Sequence, residues 1–313
     1  MTQRAYVRRC VRAAADLARA LRGKRTVAGA GAGHHVFVAE RCDDDPVGST
    51  YAHPVGATVV QVPIERCRGL WFAGFACARD GNHPYVRTLT EHATGEVASY
   101  ETSPLHTYFD RWRPASAAEA LGLGDAAFDG IDAFRRAPAA AAMAPWWPTR
   151  DLASFAHEFD ASTRRENRRS TASATAETQQ AAVGSHLFGP VSATKGAIEF
   201  DRCFRVFRSM LQNGFRRDST TLDGDVRGQA LVRADGSYAV FILNGQHRVA
   251  AAAAVGLSTI PIRFQQGADV GPRIVRRSDV AHWPAVKNRT FSKAAALAVF
   301  DRLFAGRQPW AVR

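Results

Sequence analysis

The sequence predicts an α+β protein built from two domains. The chain has 313 residues, which is about twice the ~150 residues of a typical single domain. Hydrophobic residues make up 46% of it, enough for substantial cores. Short β-like runs dominate the first half, whereas regular helix and strand patterns fill the second. We therefore predict an N-terminal α+β domain over 1–150, a polar linker or excursion over 151–185 and a C-terminal domain over 186–313.

The elements of the first half are short. Residues 4–22 place apolar side chains at helical spacing between arginines, which predicts an amphipathic helix. Three β-like runs predict an irregular sheet, namely His35–Val38, Thr58–Val62 and Leu70–Phe75. Ser103 and Pro104 can open one helix, and Ser116–Leu121 predicts another that stops at Gly122.

The boundary between the halves is marked by composition. An alanine- and proline-rich stretch over 132–149 is followed by a polar run over 162–180 that is rich in Arg, Ser and Thr. Such a shift is typical of a linker or an exposed excursion.

The second half has a clearer pattern. Phe200, Phe204, Phe207 and Leu211 recur at helical spacing before Gly214, which predicts a helix over 198–213. The remaining elements are predicted in this order along the chain: a hairpin of Gln229–Val232 and Tyr238–Leu243, a helix over His247–Val255 and a strand over Ile260–Phe264.

Charge and cysteine content limit the class of protein. The formal net charge is +12, and residues 1–25 and 273–313 each carry an excess of seven positive charges. This pattern suits either an anionic partner such as nucleic acid or a solvated basic surface, and we favour the second.

The chain has no apolar stretch of the ~18 residues that span a bilayer, and its first residues do not read as a signal peptide. Five cysteines without CxxC spacing argue against a zinc site or a disulfide framework, so we expect a soluble cytoplasmic protein.

The segment FILNGQHRVAAAAAVGL, Phe241–Leu257, carries the chemistry. An apolar strand runs into Asn244 and Gly245, and an alanine-rich helix follows. Gly245 allows a tight turn, and the free N–H groups of the helix start attract anions. His247 and Arg248 add charged donors that suit phosphate oxygens. The alternative is an ordinary strand-to-helix turn with an Asn cap, a surface Arg and a His bonded to a backbone carbonyl.

This segment, together with the preceding helix, NGF turn and hairpin, resembles the ParB/sulfiredoxin-like superfamily over roughly Phe188–Gln265. The hallmark of that superfamily is a strand ending in a Gly-x-His/Arg-Arg turn before an alanine-rich helix and an IPV-like strand, here ILNGQHRVAAAAAVGLSTIPIRF. SPLHTYF with AAEALGL, FGPVSATKG and VRRSDVAHWPAVK also resemble bacterial ParB-like proteins of surface-polysaccharide gene sets.

The resemblance implies a nucleotide, ATP or CTP with Mg²⁺, whose phosphates lie at Asn244, Gly245, Gln246, His247 and Arg248. Sulfiredoxins have a reactive cysteine where this chain has Gln246. ParB proteins have Glu-Arg-Arg after the glycine, and no helix-turn-helix is evident here. The free serine kinases of the superfamily, with Asp-Gly-His-His-Arg, are more similar, although Asn244 replaces their aspartate.

The resemblance therefore favours a phosphotransferase that acts on a small hydroxylated substrate, a sugar among the candidates. Nucleic acid is the disfavoured partner, through a ParB-like nucleotide switch or a nuclease. The candidate catalytic residues are Glu199, as a base, and His247. Asp218, Asp223 and Asp225 are weaker candidates for base or metal ligand. Glu199 also suits a helix start electrostatically, and the aspartates also suit a turn, so the metal ligands stay open.

Overall fold

The computed structural model describes residues 38–39, 59–124, 128–216, 225–264 and 270–312, with the single residues 45, 48 and 50. The predicted helix over 4–22 lies outside the described residues, as does most of the predicted strand His35–Val38. Helices and a sheet are both present, which confirms the α+β class.

The described strands form one mixed sheet. They are β1 (Val38–Ala39), β2 (Val59–Pro63), β3 (Cys67–Gly69), β4 (Phe75–Ala76), β5 (Val226–Val232), β6 (Tyr238–Asn244), β7 (Thr259–Phe264) and β8 (Ile274–Arg276). The order is β1-β2-β7-β5-β6-β3-β4, and β8 also pairs with β5. Pairs β2–β7, β3–β4 and β5–β6 are antiparallel, and the others are parallel.

This sheet crosses the predicted domain boundary. Strands β2 to β4 belong to the predicted domain 1–150, whereas β5 to β8 belong to the predicted domain 186–313. Because β2 pairs with β7 and β3 pairs with β6, the two parts share their backbone hydrogen bonds. The division is therefore corrected: among the described residues, strands from both sides of residues 151–185 build one sheet.

Ten helices accompany the sheet in the described part of the chain. They are α1 (Pro84–Thr94), α2 (Pro104–Arg111), α3 (Ala117–Ala120), α4 (Asp132–Arg136), α5 (Leu152–Ser170), α6 (Ala176–Ala181), α7 (Ala193–Asn213), α8 (Gln246–Val255), α9 (Pro284–Lys287) and α10 (Lys293–Ala305). None of them is long and apolar enough to cross a membrane.

The sheet is buried on both faces. Along β6, Val240 and Ile242 belong to a core shared with α1, α2, α7 and α8, whereas Phe241 between them belongs to a core shared with α3, α4 and α10. Because successive strand residues point to opposite faces, this division makes three layers. It also explains why the strand is apolar throughout rather than alternating.

The predicted elements of the second half are confirmed with small changes of boundary. Helix α7 starts five residues before the prediction because the Ser192 hydroxyl accepts from Lys195 N and caps it. The hairpin, helix α8 and strand β7 lie where the pattern placed them.

Two predictions outside the second half, at Leu70–Phe75 and at residues 151–185, are wrong or need revision. Leu70–Phe75 is not a strand: a 3-10 turn, Trp71–Ala73, separates β3 from β4, and Leu70 and Trp71 adopt left-handed φ of 52° and 54°. Residues 151–185, predicted as a polar linker or excursion, contain α5 and α6. The Asp151 carboxylate accepts from Ser154 N and caps α5, so a polar sequence still forms a long helix.

Candidate functional site

The junction between β6 and α8 has the form that the motif predicted. Asn244 ends the strand, and Gly245 follows in the left-handed conformation with φ 91°. A Cβ at Gly245 would lie 3.0 Å from Val226 Cγ2, so the position favours glycine for both conformation and space. No side chain caps the start of α8. Its first N–H groups therefore keep their attraction for anions.

The alanines of α8 position this helix start. Residues Val249–Val255 are all buried, and the helix packs against α7 and α1. Small side chains allow close approach of neighbouring helices, so the start of α8 is rigidly placed beside α7.

Gln246 has a structural task. Its Nε2 donates to Ile242 O over 2.9 Å, and its Oε1 accepts from Leu70 N over 2.7 Å. Both ends of the buried amide are thus bonded inside the protein, and they hold Leu70 in its left-handed conformation. Of the five residues predicted to bind phosphate, Gln246 and His247 are buried, and the Gln246 amide has both ends bonded inside the protein.

Three arginines gather at the same edge of the sheet as Gly245. Arg248 Nη2 donates to Asp225 O over 3.0 Å, and Arg263 Nε lies 3.5 Å from Asp225 Oδ2. Arg227 lies on β5, where it is paired with Asn244 of β6 on one side and with Arg263 of β7 on the other. We call Arg227, Arg248 and Arg263 the arginine cluster. Asp225 is their acidic neighbour among the described contacts.

Glu199 and His247 meet in a buried network. Glu199 lies on α7, one turn after Lys195, and Lys195 Nζ is 2.5 Å from Glu199 Oε1. His247 Nε2 is 2.8 Å from Glu199 Oε2. The Lys195 and Glu199 side chains are fully buried, and that of His247 is 9% exposed. The tertiary structure thus brings together the two residues that we predicted as catalytic.

The contact between His247 and Glu199 is close but not linear. Although Nε2 and Oε2 are 2.8 Å apart, neither atom forms an aligned hydrogen bond within the described residues. Burial alone would raise the pKa of Glu199, but the contact with His247 and the charges of His186 and Lys195 outweigh it and hold the pKa well below its usual range. Glu199 is therefore a stable carboxylate, better suited to orienting His247 than to taking a proton.

Further polar and aromatic groups surround this network. Arg202 forms an ion pair with Glu166 and lies 4.0 Å from Glu199 Oε1. The rings of His247 and Tyr85 have centroids 4.7 Å apart, and the Tyr85 hydroxyl donates to His186 O over 3.1 Å. The imidazole of His247 thus lies between the Tyr85 ring and the Glu199 carboxylate, and the Tyr85 hydroxyl is itself fixed by its bond to the backbone at His186.

The described residues do not assemble a metal site. Asp225 is 3% exposed and faces Arg263, so its carboxylate is already balanced by a cation. No group of three or more His, Cys, Asp or Glu side chains within the described ranges could hold a metal ion. Asp218 and Asp223 lie outside them. The described residues thus do not form a Mg²⁺ site by themselves.

A large cleft lies elsewhere. It encloses about 1100 Å³ and is lined by α1, α2, α3 and the turn at Pro309–Val312. A second groove of about 730 Å³ lies along α5 and α6. Neither is lined by Glu199, by residues 244–248 or by the arginine cluster. The junction differs from both in that backbone N–H groups and arginines gather there.

Comparisons with protein-family models, curated proteins and solved structures found no match to this chain. The resemblance to the ParB/sulfiredoxin-like superfamily therefore stays a prediction, and function must be argued from geometry. Sequence reasoning missed Lys195, Arg227 and Arg263. Lys195 had a signal, because it precedes Glu199 by four residues on one helix. Arg263 had none, since only strand pairing brings it to Asp225.

Proposed function

We propose that the protein binds a nucleoside triphosphate, ATP or CTP, by its phosphates at the junction of β6 and α8. We further propose that it transfers a phosphoryl group to a small hydroxylated substrate, with sugars as the first class to test. The observation that carries the proposal is the uncapped start of α8 beside the arginine cluster.

Phosphate suits this place better than other anions for two reasons. Backbone N–H groups at a helix start and arginine guanidinium groups both donate to phosphate oxygens, and here both occur at one edge of the sheet. Gly245, which has no side chain, permits close approach of a ligand to the backbone. Arg248 is only partly buried, so it can reach a ligand.

The buried network supplies the acid–base group. Lys195 holds Glu199, and Glu199 orients the ring of His247 through Nε2. Nδ1 is then the nitrogen that accepts the proton of the substrate hydroxyl, as the hydroxyl oxygen bonds to the γ-phosphorus and the bond to the nucleoside diphosphate breaks. The same order of carboxylate, imidazole and hydroxyl serves other enzymes that activate a hydroxyl group. Glu199 and Lys195 act as positioning residues in this scheme.

Calorimetry tests the nucleotide site. We expect ATP or CTP to bind the wild-type protein and Arg248→Ala to weaken binding by roughly 10- to 100-fold, the usual loss for a charge-assisted hydrogen bond. Arg205→Ala is the matched control, because Arg205 is an exposed arginine on α7. Equal heats for wild type and Arg248→Ala, or no heat with either nucleotide, would remove the proposal.

A second pair of variants tests the chemistry separately from binding. His247→Asn should retain the heat of nucleotide binding and lose phosphoryl transfer to a panel of sugars. Glu199→Gln should retain some transfer and change its dependence on pH, because the ring is no longer held by a charge. Thermal unfolding of both variants checks that they fold. Full transfer activity in His247→Asn contradicts its role as the base.

One observation favours nucleic acid as a second candidate partner. Arg164, Arg165, Arg168 and Arg169 are all exposed near the end of α5, and like charges four residues apart destabilise a helix. Arg164 and Arg168 also line the second groove. If four phosphates are bound, the logarithm of the DNA affinity should fall against the logarithm of salt with a slope of roughly −3 to −4. No binding of duplex DNA at low salt would exclude this candidate.

A further inference from the structure

The large cleft has a composition that differs from that of the phosphate site. Its volume, about 1100 Å³, is slightly above the roughly 300–1,000 Å³ that small-molecule sites enclose. It is thus larger than a single sugar or base requires. None of the residues proposed to bind the nucleotide lines it.

One wall of the cleft is aromatic. Trp310 is 37% exposed, one of two large apolar side chains exposed in the described part of the chain. Its ring centroid lies 4.4 Å from that of Trp112 and 5.7 Å from that of Phe75. The indole therefore packs against Trp112 and Phe75, and its exposed part lines the cleft. An indole face fixed in this way is available for a ligand ring to pack on.

The tryptophan wall is held in place by hydrogen bonds. Arg302 donates from Nε to Leu121 O over 3.3 Å and from Nη1 to Arg307 O over 3.0 Å. Asn82 Nδ2 donates to Gln308 Oε1 over 3.1 Å. These bonds tie the segment that carries Trp310 to the end of α3 and to the start of α1. The cleft is thus formed before any ligand arrives, which lowers the entropic cost of binding.

The charged and hydroxyl side chains of the cleft lining are electrically balanced. Arg87 and Glu91 form an ion pair of 2.6 Å, and Arg111 and Glu119 add one charge of each sign. The hydroxyl groups of Thr102, Thr107 and Ser116 also line it. Such a surface both donates and accepts hydrogen bonds, and it has no excess charge for a polyanion. Nucleotides and nucleic acids are thus poorly matched here, in contrast to the arginine cluster.

From these observations we infer that the cleft binds a short neutral oligosaccharide. A pyranose ring has apolar C–H faces that pack on an indole, and its hydroxyl groups both donate and accept hydrogen bonds. The volume admits more than one such ring. This inference does not depend on the proposed nucleotide site, because the two share none of their lining residues.

The test uses the full chain and four neutral probes: maltotetraose, cellotetraose, chitotetraose and mannotetraose. Tryptophan fluorescence and calorimetry follow each titration. We expect at least one probe to bind, and Trp310→Ala to weaken it by about tenfold or more. Trp310→Phe, which keeps an aromatic ring, should restore part of the affinity. Val183→Ala, at the other exposed large apolar residue, should bind like wild type.

Arg111→Ala provides a second variant if Trp310→Ala fails to fold, and it should also weaken the probe that binds. The inference is overturned if no probe binds at millimolar concentration, or if Trp310→Ala and Arg111→Ala both bind as well as wild type. ATP separates this inference from the proposed function. Loss of ATP binding in Trp310→Ala, but not in Arg248→Ala, would make the cleft the nucleotide site and overturn both proposals.

Discussion

The buried His83 predicts that the protein loses stability as the pH falls from 7 to 5. His83 is fully buried beside Phe75 and Tyr85, and neither ring nitrogen has a hydrogen-bond partner among the described residues. Burial therefore lowers its pKa from 6.5 to about 3, and the charge of His247 adds to this effect. The folded state keeps His83 neutral in a range where the unfolded chain protonates it.

The sign and size of the change in the free energy of unfolding follow from this difference in proton binding. Between pH 6.5 and about 3 the unfolded state holds more protons, so the free energy of unfolding falls as pH falls. Each pKa unit is worth roughly 1.4 kcal/mol, which gives a loss of about 2 kcal/mol from pH 7 to pH 5 for this one group. His186, whose pKa burial lowers to about 4, adds a smaller part because its surface is only partly buried. Carboxylates such as Glu199 act mainly below this window, because their unfolded-state pKa values are near 4.

Urea unfolding at pH 7, 6 and 5 measures the effect. The variant His83→Leu replaces the imidazole by an apolar side chain and removes no hydrogen bond of the ring. We expect it to lose about 2 kcal/mol less stability than wild type between pH 7 and pH 5. His157→Gln is the matched control, because it removes an imidazole that is exposed on α5. If His83→Leu keeps the wild-type slope, the ring is not held neutral in the folded protein and the reasoning fails.

Three substitutions test other parts of the structure by their free energy of unfolding. Lys195→Met leaves Glu199 buried without its cation and should cost about 3–5 kcal/mol, and adding Glu199→Gln should recover part of this loss. Gln229→Leu removes an amide that accepts from the indole N–H groups of Trp146 and Trp147 and donates to two backbone carbonyls, so it should cost about 3 kcal/mol or more. Gly245→Ala forces a Cβ into the left-handed conformation and should cost about 1–2 kcal/mol while it weakens nucleotide binding.

For each of these substitutions, one result would contradict the expected change in stability. A loss below 1 kcal/mol for Lys195→Met means that water reaches Glu199. Wild-type stability in Gln229→Leu means that the indole groups find other acceptors. A Gly245→Ala protein with unchanged stability and nucleotide heat shows that the turn tolerates a side chain.

Local patterns predicted most elements of the second half. The aromatic spacing of α7, the hairpin and the glycines that bound α8 are local signals, since each depends on residues close in sequence. The same reasoning failed at Leu70–Phe75, because a buried glutamine distant in sequence holds that backbone in a turn. It also missed the common sheet, since pairing between β3 and β6 depends on long-range packing.

The sequence by itself determined that a glycine and an arginine lie where a strand meets a helix, because both follow directly from the order of residues 244–248. The helix start without a side-chain cap is a finding of the structure. Only the tertiary structure decided what surrounds it. Packing of α7 against α8 places Glu199 on His247, and pairing of β5 with β7 places Arg263 near Asp225. The physical reason is that burial and neighbouring charges set the protonation of Glu199, and one of these neighbours, His247, lies about fifty positions away in the sequence. The order of residues states which groups are available, whereas the fold decides which of them are charged, held and within reach of each other.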